Sequence, residues 1–81
     1  MDRKDIDILV KDFLTEELEI DEDKVFPSSR LKEDMGIDSL EIVDVVAFVD
    51  ECFGFKMDVA DFRQLTTLDA FCGHIAEKTG R

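Results

Sequence analysis

The chain has no tryptophan or tyrosine, one proline, one histidine and two cysteines among its 81 residues. Two cysteines are too few for a disulfide framework, and no Cys and His residues have the spacing of a zinc site. Because proline and glycine are scarce, the sequence favours helices over turn-rich β structure. It also lacks a signal peptide and any apolar stretch long enough to cross a bilayer, so we expect a cytoplasmic protein with reduced thiols.

Basic residues are also few: ten Lys and Arg stand against 21 Asp and Glu, and the formal net charge is -11. Phosphate binding needs clustered basic residues, so this balance argues against nucleic acid, anionic membrane surfaces and membrane insertion. An acidic protein instead attracts basic partners. The length and the 44% of hydrophobic residues predict one small domain over residues 1–81, which we expect to be a monomer.

Hydrophobic periodicity predicts an all-α fold, a small four-helix bundle with three main helices and a short third helix. The predicted bounds are, in order, residues 3–18, 39–53, 59–65 and 68–78. The predicted N-caps of the first, third and fourth helices are Asp2, Asp58 and either Thr66 or Thr67. Gly80 is predicted to end the fourth helix.

Residues 19–38 separate the first two helices, and a structureless loop of this length is unusual in a small domain. Its apolar side chains predict that it packs onto the helices; they are Val25, Phe26, Leu31, Met35 and Ile37. We expect a short helical turn after Ser28 or Ser29 and a tight bend at Gly36.

The second helix, SLEIVDVVAFVDECF, divides into two faces when successive residues are placed about 100° apart. The predicted core face holds Ile42, Val46, Val49 and Phe53, with Val45 at its edge. The opposite, exposed face holds Leu40, Asp44, Ala47 and Glu51, flanked by Glu41 and Asp50. Phe48 falls on a flank and is not assigned to either face.

The start of this helix, Asp38-Ser39-Leu40-Glu41, has the pattern of a capping box. On that interpretation Ser39 is an ordinary residue of the first turn. A second interpretation is functional, because a phosphodiester on Ser39 would lie near free amides and the positive end of the helix dipole. The mixture of small apolar and acidic residues on the exposed face suits brief docking onto basic surfaces.

Catalytic and metal sites have little support. Ser39 is not in a G-x-S-x-G elbow, and His74 lies on a different predicted helix, so we predict that the protein is not an enzyme. Asp21 and Asp23 begin a calcium-loop pattern that Val25 breaks, so no metal ligand is predicted.

The two cysteines differ in their predicted environment. Cys72 falls on the apolar stripe of the fourth helix and should be buried, whereas Cys52 lies off the core face and should be partly exposed. Neither lies beside a cluster of basic residues, which argues against a reactive thiol.

The stretch GIDSLEIVDVVAFVDECFGFKM resembles the centre of an acyl carrier protein. The resemblance covers nearly the whole chain, including the long acidic loop, the short third helix and the TTL that opens the last helix. In that family the serine of the D-S-L motif receives a 4'-phosphopantetheine arm from a separate transferase, and Ser39 matches it. The resemblance implies a carrier that holds acyl groups as thioesters for fatty-acid, polyketide or lipid-modifying enzymes.

The resemblance also implies two sets of site residues. The matching partner-binding positions are Asp38, Leu40, Glu41, Asp44, Ala47, Asp50 and Glu51. The residues expected to shelter an acyl chain are Ile42, Val46, Val49, Phe53, Leu65, Leu68 and Phe71. The implied partners are a phosphopantetheinyl transferase and acyltransferases, ketosynthases or other acyl-processing enzymes with basic docking surfaces.

Two departures from the fatty-acid synthesis pattern favour a specialised carrier. Ala47 stands where a larger apolar residue is common, and residues 54–81 contain four acidic and four basic residues, so they have no net charge. Three alternatives stay open: an aminoacyl or peptidyl carrier, an unmodified acidic helical interaction module, and a small serine hydrolase. The first of these more often has a Gly-Gly-x-Ser entry, which GIDSL does not match.

Overall fold

The computed structural model describes residues 2–79 and confirms the predicted all-α four-helix bundle. The helices are α1 (Arg3–Asp12), α2 (Ser39–Phe53), α3 (Val59–Gln64) and α4 (Leu68–Thr79). The predicted stop at Gly80 lies outside the described residues. No helix in the described part of the chain has both the length and the apolar character needed to cross a membrane.

The first helix reaches as far as predicted but changes its hydrogen bonding before it ends. A π-helical turn at Phe13–Glu17 follows α1, and the amide of Leu18 donates to the carbonyl of Phe13 at 3.3 Å. The hydroxyl of Thr15 donates to the carbonyl of Lys11 at 2.9 Å, a side-chain bond that competes with the regular helical pattern. Glu19, with a φ of 55°, then turns the chain away.

The long segment between α1 and α2 packs onto the helices, as predicted. Its buried apolar residues are Ile20, Val25, Leu31, Met35 and Ile37. Phe26 was expected to pack down as well, but it is 53% exposed. A 3₁₀ turn forms at Glu22–Lys24, and the helical turn expected after Ser29 is limited to hydrogen-bonded turns over residues 31–35.

Backbone hydrogen bonds join this segment to the start of α4. The amides of Leu68 and Asp69 donate to the carbonyls of Ser29 and Pro27, each at 2.9 Å. The hydroxyl of Thr67 accepts from the amide three residues further on at 3.2 Å, so Thr67 rather than Thr66 caps the helix. These bonds satisfy amides that a helix start leaves unpaired and hold the segment beside α4.

Two other predicted caps form no side-chain hydrogen bond. Asp2 and Asp58 occupy the N-cap positions of α1 and α3, but neither carboxylate accepts from a helix amide. Their predicted positions at the N-caps are therefore confirmed, and their side chains add no capping hydrogen bond.

One apolar core joins all four helices, with Phe62 of α3 edge-on to Phe71 of α4 at 5.7 Å between ring centroids. The core side of α2 is turned relative to the prediction. Val45, placed at the edge of the core face, is only 1% exposed, whereas Val46 and Phe53 are half-buried. A helical wheel cannot decide which of two adjacent apolar residues, Val45 or Val46, points into the core. Packing against the other helices decides it, and here it buries Val45.

Candidate functional site

Ser39 is the first residue of α2, and its side chain is exposed. Asp38 Oδ1 accepts from the amides of Leu40 and Glu41 at 3.0 and 3.1 Å. Glu41 Oε1 accepts in return from the amide of Asp38 at 3.4 Å, which completes the predicted capping box. These reciprocal bonds fix the backbone on both sides of Ser39.

The capping box corrects one expectation about this helix end. The amides of Leu40 and Glu41 donate to Asp38, so they are not free to bind a phosphodiester on Ser39. Such a group would still benefit from the positive end of the helix dipole.

The approach to Ser39 is fixed by a bend and a buried anchor. Gly36 adopts a φ of 71°, in the left-handed region that favours glycine, which confirms the predicted bend. Ile37 is buried, and its amide donates to the carbonyl of Leu31 at 3.0 Å. The chain therefore enters α2 with Ile37 held in the core and Ser39 facing solvent.

A cleft of about 620 Å³ adjoins Ser39 between the long segment, the start of α2 and α3. Its apolar lining consists of Leu31, Ile37, Ile42, Phe62 and Leu65. Its polar lining consists of Lys32, Glu33, Asp38, Ser39, Arg63 and Thr66. A flexible arm on Ser39 would thus begin at the rim of a cavity with an apolar wall.

The residues predicted to shelter an acyl chain divide into two groups. Ile42 and Leu65 line the cleft. The others lie outside its lining: Val49, Leu68 and Phe71 are buried in the core, and Val46 and Phe53 are half-buried. Sequence reasoning missed Leu31, Ile37 and Phe62, although the apolar character of the long segment was the signal for the first two.

The predicted exposed face of α2 is exposed in the structure. Leu40 is 80% exposed, and Asp44, Ala47, Asp50 and Glu51 also face solvent, with Glu41 half-buried. Val43, which the sequence analysis did not assign, is 59% exposed. Its position three residues after Leu40 was the signal that could have placed it on this side.

The remaining reactive side chains lie away from Ser39. Cys52 is exposed and Cys72 is buried, as predicted. Burial, and after it the neighbouring Asp7 carboxylate that opposes the thiolate, together raise the pKa of the Cys72 thiol to about 12. His74 packs beside Phe55, with 6.2 Å between ring centroids, and is not among the residues that line the cleft. Among residues 2–79, no three potential metal ligands come together.

Comparison with known proteins gives a consistent assignment. Residues 9–75 match the family model described as phosphopantetheine attachment site. The chain is 36% identical over 78 residues to the acyl carrier protein of Thermotoga maritima, with 96% of each chain covered. It is 27% identical over 77 residues to that of Rubrobacter xylanophilus, covering 95% of each. It is also 40% identical over 55 residues to the acyl carrier protein AcpXL of Brucella melitensis, covering 68% of this chain and 59% of that protein. The chain is therefore a member of the acyl carrier protein family, with the phosphopantetheine attachment domain that defines it.

Proposed function

We propose that Ser39 carries the 4'-phosphopantetheine arm and that the chain presents acyl groups on it to partner enzymes. The observation that supports this assignment is an exposed serine, fixed by a capping box at the rim of a cleft with an apolar wall. When bound, the arm supplies a terminal thiol on which acyl groups form thioesters with an electrophilic carbonyl carbon. The described residues fit this group, since Ser39 offers an accessible hydroxyl for the phosphodiester.

The side chains around Ser39 bind and orient rather than react. Asp38 and Glu41 hold the helix start, and Leu31, Ile42 and Phe62 supply apolar surface for an aliphatic chain. Acyl carrier proteins are carriers rather than catalysts, and we propose the same for this chain. The position of His74 beside Phe55, outside the lining of the cleft, supports this over the hydrolase alternative.

We further propose that α2 is the docking surface for partner enzymes. The proposed surface, here called the partner face, consists of Asp38, Leu40, Glu41, Asp44, Ala47, Asp50 and Glu51. An exposed leucine among carboxylates supports contact with a basic surface that has an apolar centre. A phosphopantetheinyl transferase and acyltransferases, ketosynthases or similar enzymes are the proposed partners. The single domain over residues 1–81, the monomeric state, the cytoplasmic location and the specialised pathway stay predictions.

Replacement of each serine in turn tests the site assignment. The chain has three serines, Ser28, Ser29 and Ser39. Ser28 is exposed like Ser39, so Ser28→Ala is the matched control for Ser39→Ala, and Ser29→Ala is a second control at a buried serine. After incubation with a broad-specificity transferase and coenzyme A, we expect digestion and mass spectrometry to locate the arm on Ser39 in both controls. Ser39→Ala should stay folded and gain no arm. An arm on any other residue would contradict the assignment.

A further inference from the structure

The first helical segment consists of α1 and the π-helical turn at Phe13–Glu17 that follows it. A groove of about 610 Å³ runs between the end of this segment and α2. Its apolar lining consists of Leu9, Phe13, Leu18, Ala47, Phe48 and Cys52. Phe13 and Phe48 stack with 4.1 Å between ring centroids and an interplanar angle of 12°. Both rings are half-buried, so the stacked pair keeps an apolar surface open to the groove.

Carboxylates surround this apolar surface on both sides. Asp12, Glu16 and Glu17 come from the first helical segment, and Asp44 and Glu51 come from α2. No Lys or Arg is among the residues that line the groove. None of these five side chains forms a salt bridge within residues 2–79. The groove therefore combines an apolar centre with negative charge that the described chain does not neutralise.

The charge of the groove restricts what could cover it. A second copy of the chain, with its net charge of -11, would be repelled, as would an anionic lipid or a nucleic acid. The described residues do not bring three potential metal ligands together here or elsewhere, which argues against a cation alone. A basic protein segment with an apolar stripe is complementary in both respects.

We propose that this groove binds a basic amphipathic helix of a partner protein. One long apolar side chain of that helix packs against the stacked Phe13 and Phe48, and its Lys and Arg side chains face the carboxylates on both walls. The small side chain of Ala47 leaves space for the apolar side chain on the α2 wall. Such helix-in-groove contacts bury one apolar face of the incoming helix.

This site extends beyond the partner face, because half of it belongs to α1 and the π-helical turn. It shares Asp44, Ala47 and Glu51 with the partner face but requires no arm on Ser39. A groove of this size predicts weak, transient binding that depends on salt concentration.

A synthetic peptide tests the proposal directly. The probe is a 14-residue amphipathic helix of leucine, lysine and alanine, and its control has the same composition with the leucines distributed around the helix. Both are titrated at low salt into ¹⁵N-labelled Ser39→Ala protein, which cannot carry the arm. A peptide that does not bind would therefore count against the groove and not against the assignment of the arm to Ser39. We expect the largest amide shifts at Phe13, Ala47, Phe48 and Cys52, and much smaller shifts with the control peptide. Equal shifts with both peptides, or largest shifts around Leu40 and Val43, would overturn the proposal.

Two variants separate the groove from the general acidity of the chain. Glu16→Gln with Glu17→Gln should raise the peptide Kd about fivefold, because two exposed ion pairs are lost. Asp21→Asn with Asp23→Asn makes the same charge change outside the groove and should raise the Kd less than about twofold. If both pairs weaken binding equally, the effect comes from net charge and the groove assignment is wrong.

Filling the groove without changing its charge gives an independent result. Ala47 is exposed, so Ala47→Leu should fold normally, which an unchanged melting temperature would confirm. We expect its added side chain to occupy the space proposed for the partner's apolar residue and to raise the Kd about fivefold, comparable to the loss of about one buried methylene group. An unchanged Kd would show that the peptide does not enter the groove.

Discussion

The carboxylate of Asp38 fixes the backbone around Ser39 by accepting from two amides, a role that no other predicted N-cap carboxylate has in the described chain. Sequence could predict this box because its donors and acceptors are only three residues apart. It could not show that Asp2 and Asp58 form no such bond, because that depends on side-chain rotamers that the residue types leave open.

Asp38→Ala should lower the free energy of unfolding by about 1 kcal/mol, the usual cost of a lost N-cap. Asp58→Ala is the matched control, because Asp58 occupies an N-cap position without a side-chain hydrogen bond. We expect the control to change stability by less than about half as much, as measured by urea denaturation. Equal losses in the two variants would show that helix dipole effects rather than the box stabilise α2.

Cys72 makes stability depend on pH in the alkaline range. Burial and Asp7 raise the pKa of its thiol from the usual 9.0 to about 12 in the folded chain. The folded chain keeps this proton above pH 9 while the unfolded chain loses it, so stability is complete below pH 9 and is lost as pH rises towards 12.

Between pH 8 and pH 10.5 this residue should therefore lower the free energy of unfolding by about 1–2 kcal/mol. The measurement compares wild type with Cys72→Ala by chemical denaturation at both pH values. The variant should be less stable at pH 8, because a cavity replaces the sulfur, but it should lose less stability on going to pH 10.5. Identical pH dependence in the two proteins would show that Cys72 does not titrate in this way.

At the scale of elements, helix existence and helix ends were predictable to different degrees. The start of α2 followed from a local signal, the capping box, and the structure adds Gly54 as the left-handed residue that ends the helix. The π-helical turn at Phe13–Glu17 did not follow from such signals, because no residue pattern in the sequence marked a change of hydrogen bonding there. Phe48, which the helical wheel placed on a flank, stacks on Phe13 and is half-buried, a contact between residues distant in sequence.

Two glycines should respond to alanine with opposite signs. Gly54 ends α2 with a φ of 76°, so Gly54→Ala should destabilise the fold by about 1 kcal/mol although no atom would contact the new methyl group within 4 Å. Gly73 lies inside α4, where a methyl group would meet the Arg3 guanidinium at an ordinary 3.7 Å. Gly73→Ala should therefore stabilise the fold by up to about 1 kcal/mol. Thermal unfolding of both variants checks the signs, and destabilisation by Gly73→Ala would contradict the packing described for α4.

At the scale of the whole molecule, charge and fold class were readable from composition and periodicity, but the cleft beside Ser39 was not. Its walls form only when residues 27–37 fold back, and the bonds that hold them join Ser29 and Pro27 to the start of α4. No local pattern specifies which distant amides these carbonyls will meet. The sequence therefore predicted Ser39 as the candidate attachment site and the exposed acidic residues of α2. Of the apolar residues that line the cleft, it predicted only Ile42 and Leu65.

The acidic partner face should determine how fast enzymes reach the carrier. Asp44→Lys with Glu51→Lys should slow modification by the transferase about tenfold at low salt, because charge complementarity steers encounter. Asp21→Lys with Asp23→Lys makes the same change in net charge away from α2 and should have a much smaller effect. The loss should shrink in high salt, since exposed charges are screened within about 8 Å at physiological ionic strength. A loss that does not depend on salt, or none, would mean that this face is not the docking surface.

Intact-mass measurement tests most directly whether this chain carries a phosphopantetheine arm. The purified chain, freed of any arm, is incubated with coenzyme A and a broad-specificity phosphopantetheinyl transferase. We predict complete conversion to a species heavier by one arm, with a new thiol that accepts an acyl group. A chain that gains no mass with any transferase tried would contradict the assignment and favour the unmodified interaction module.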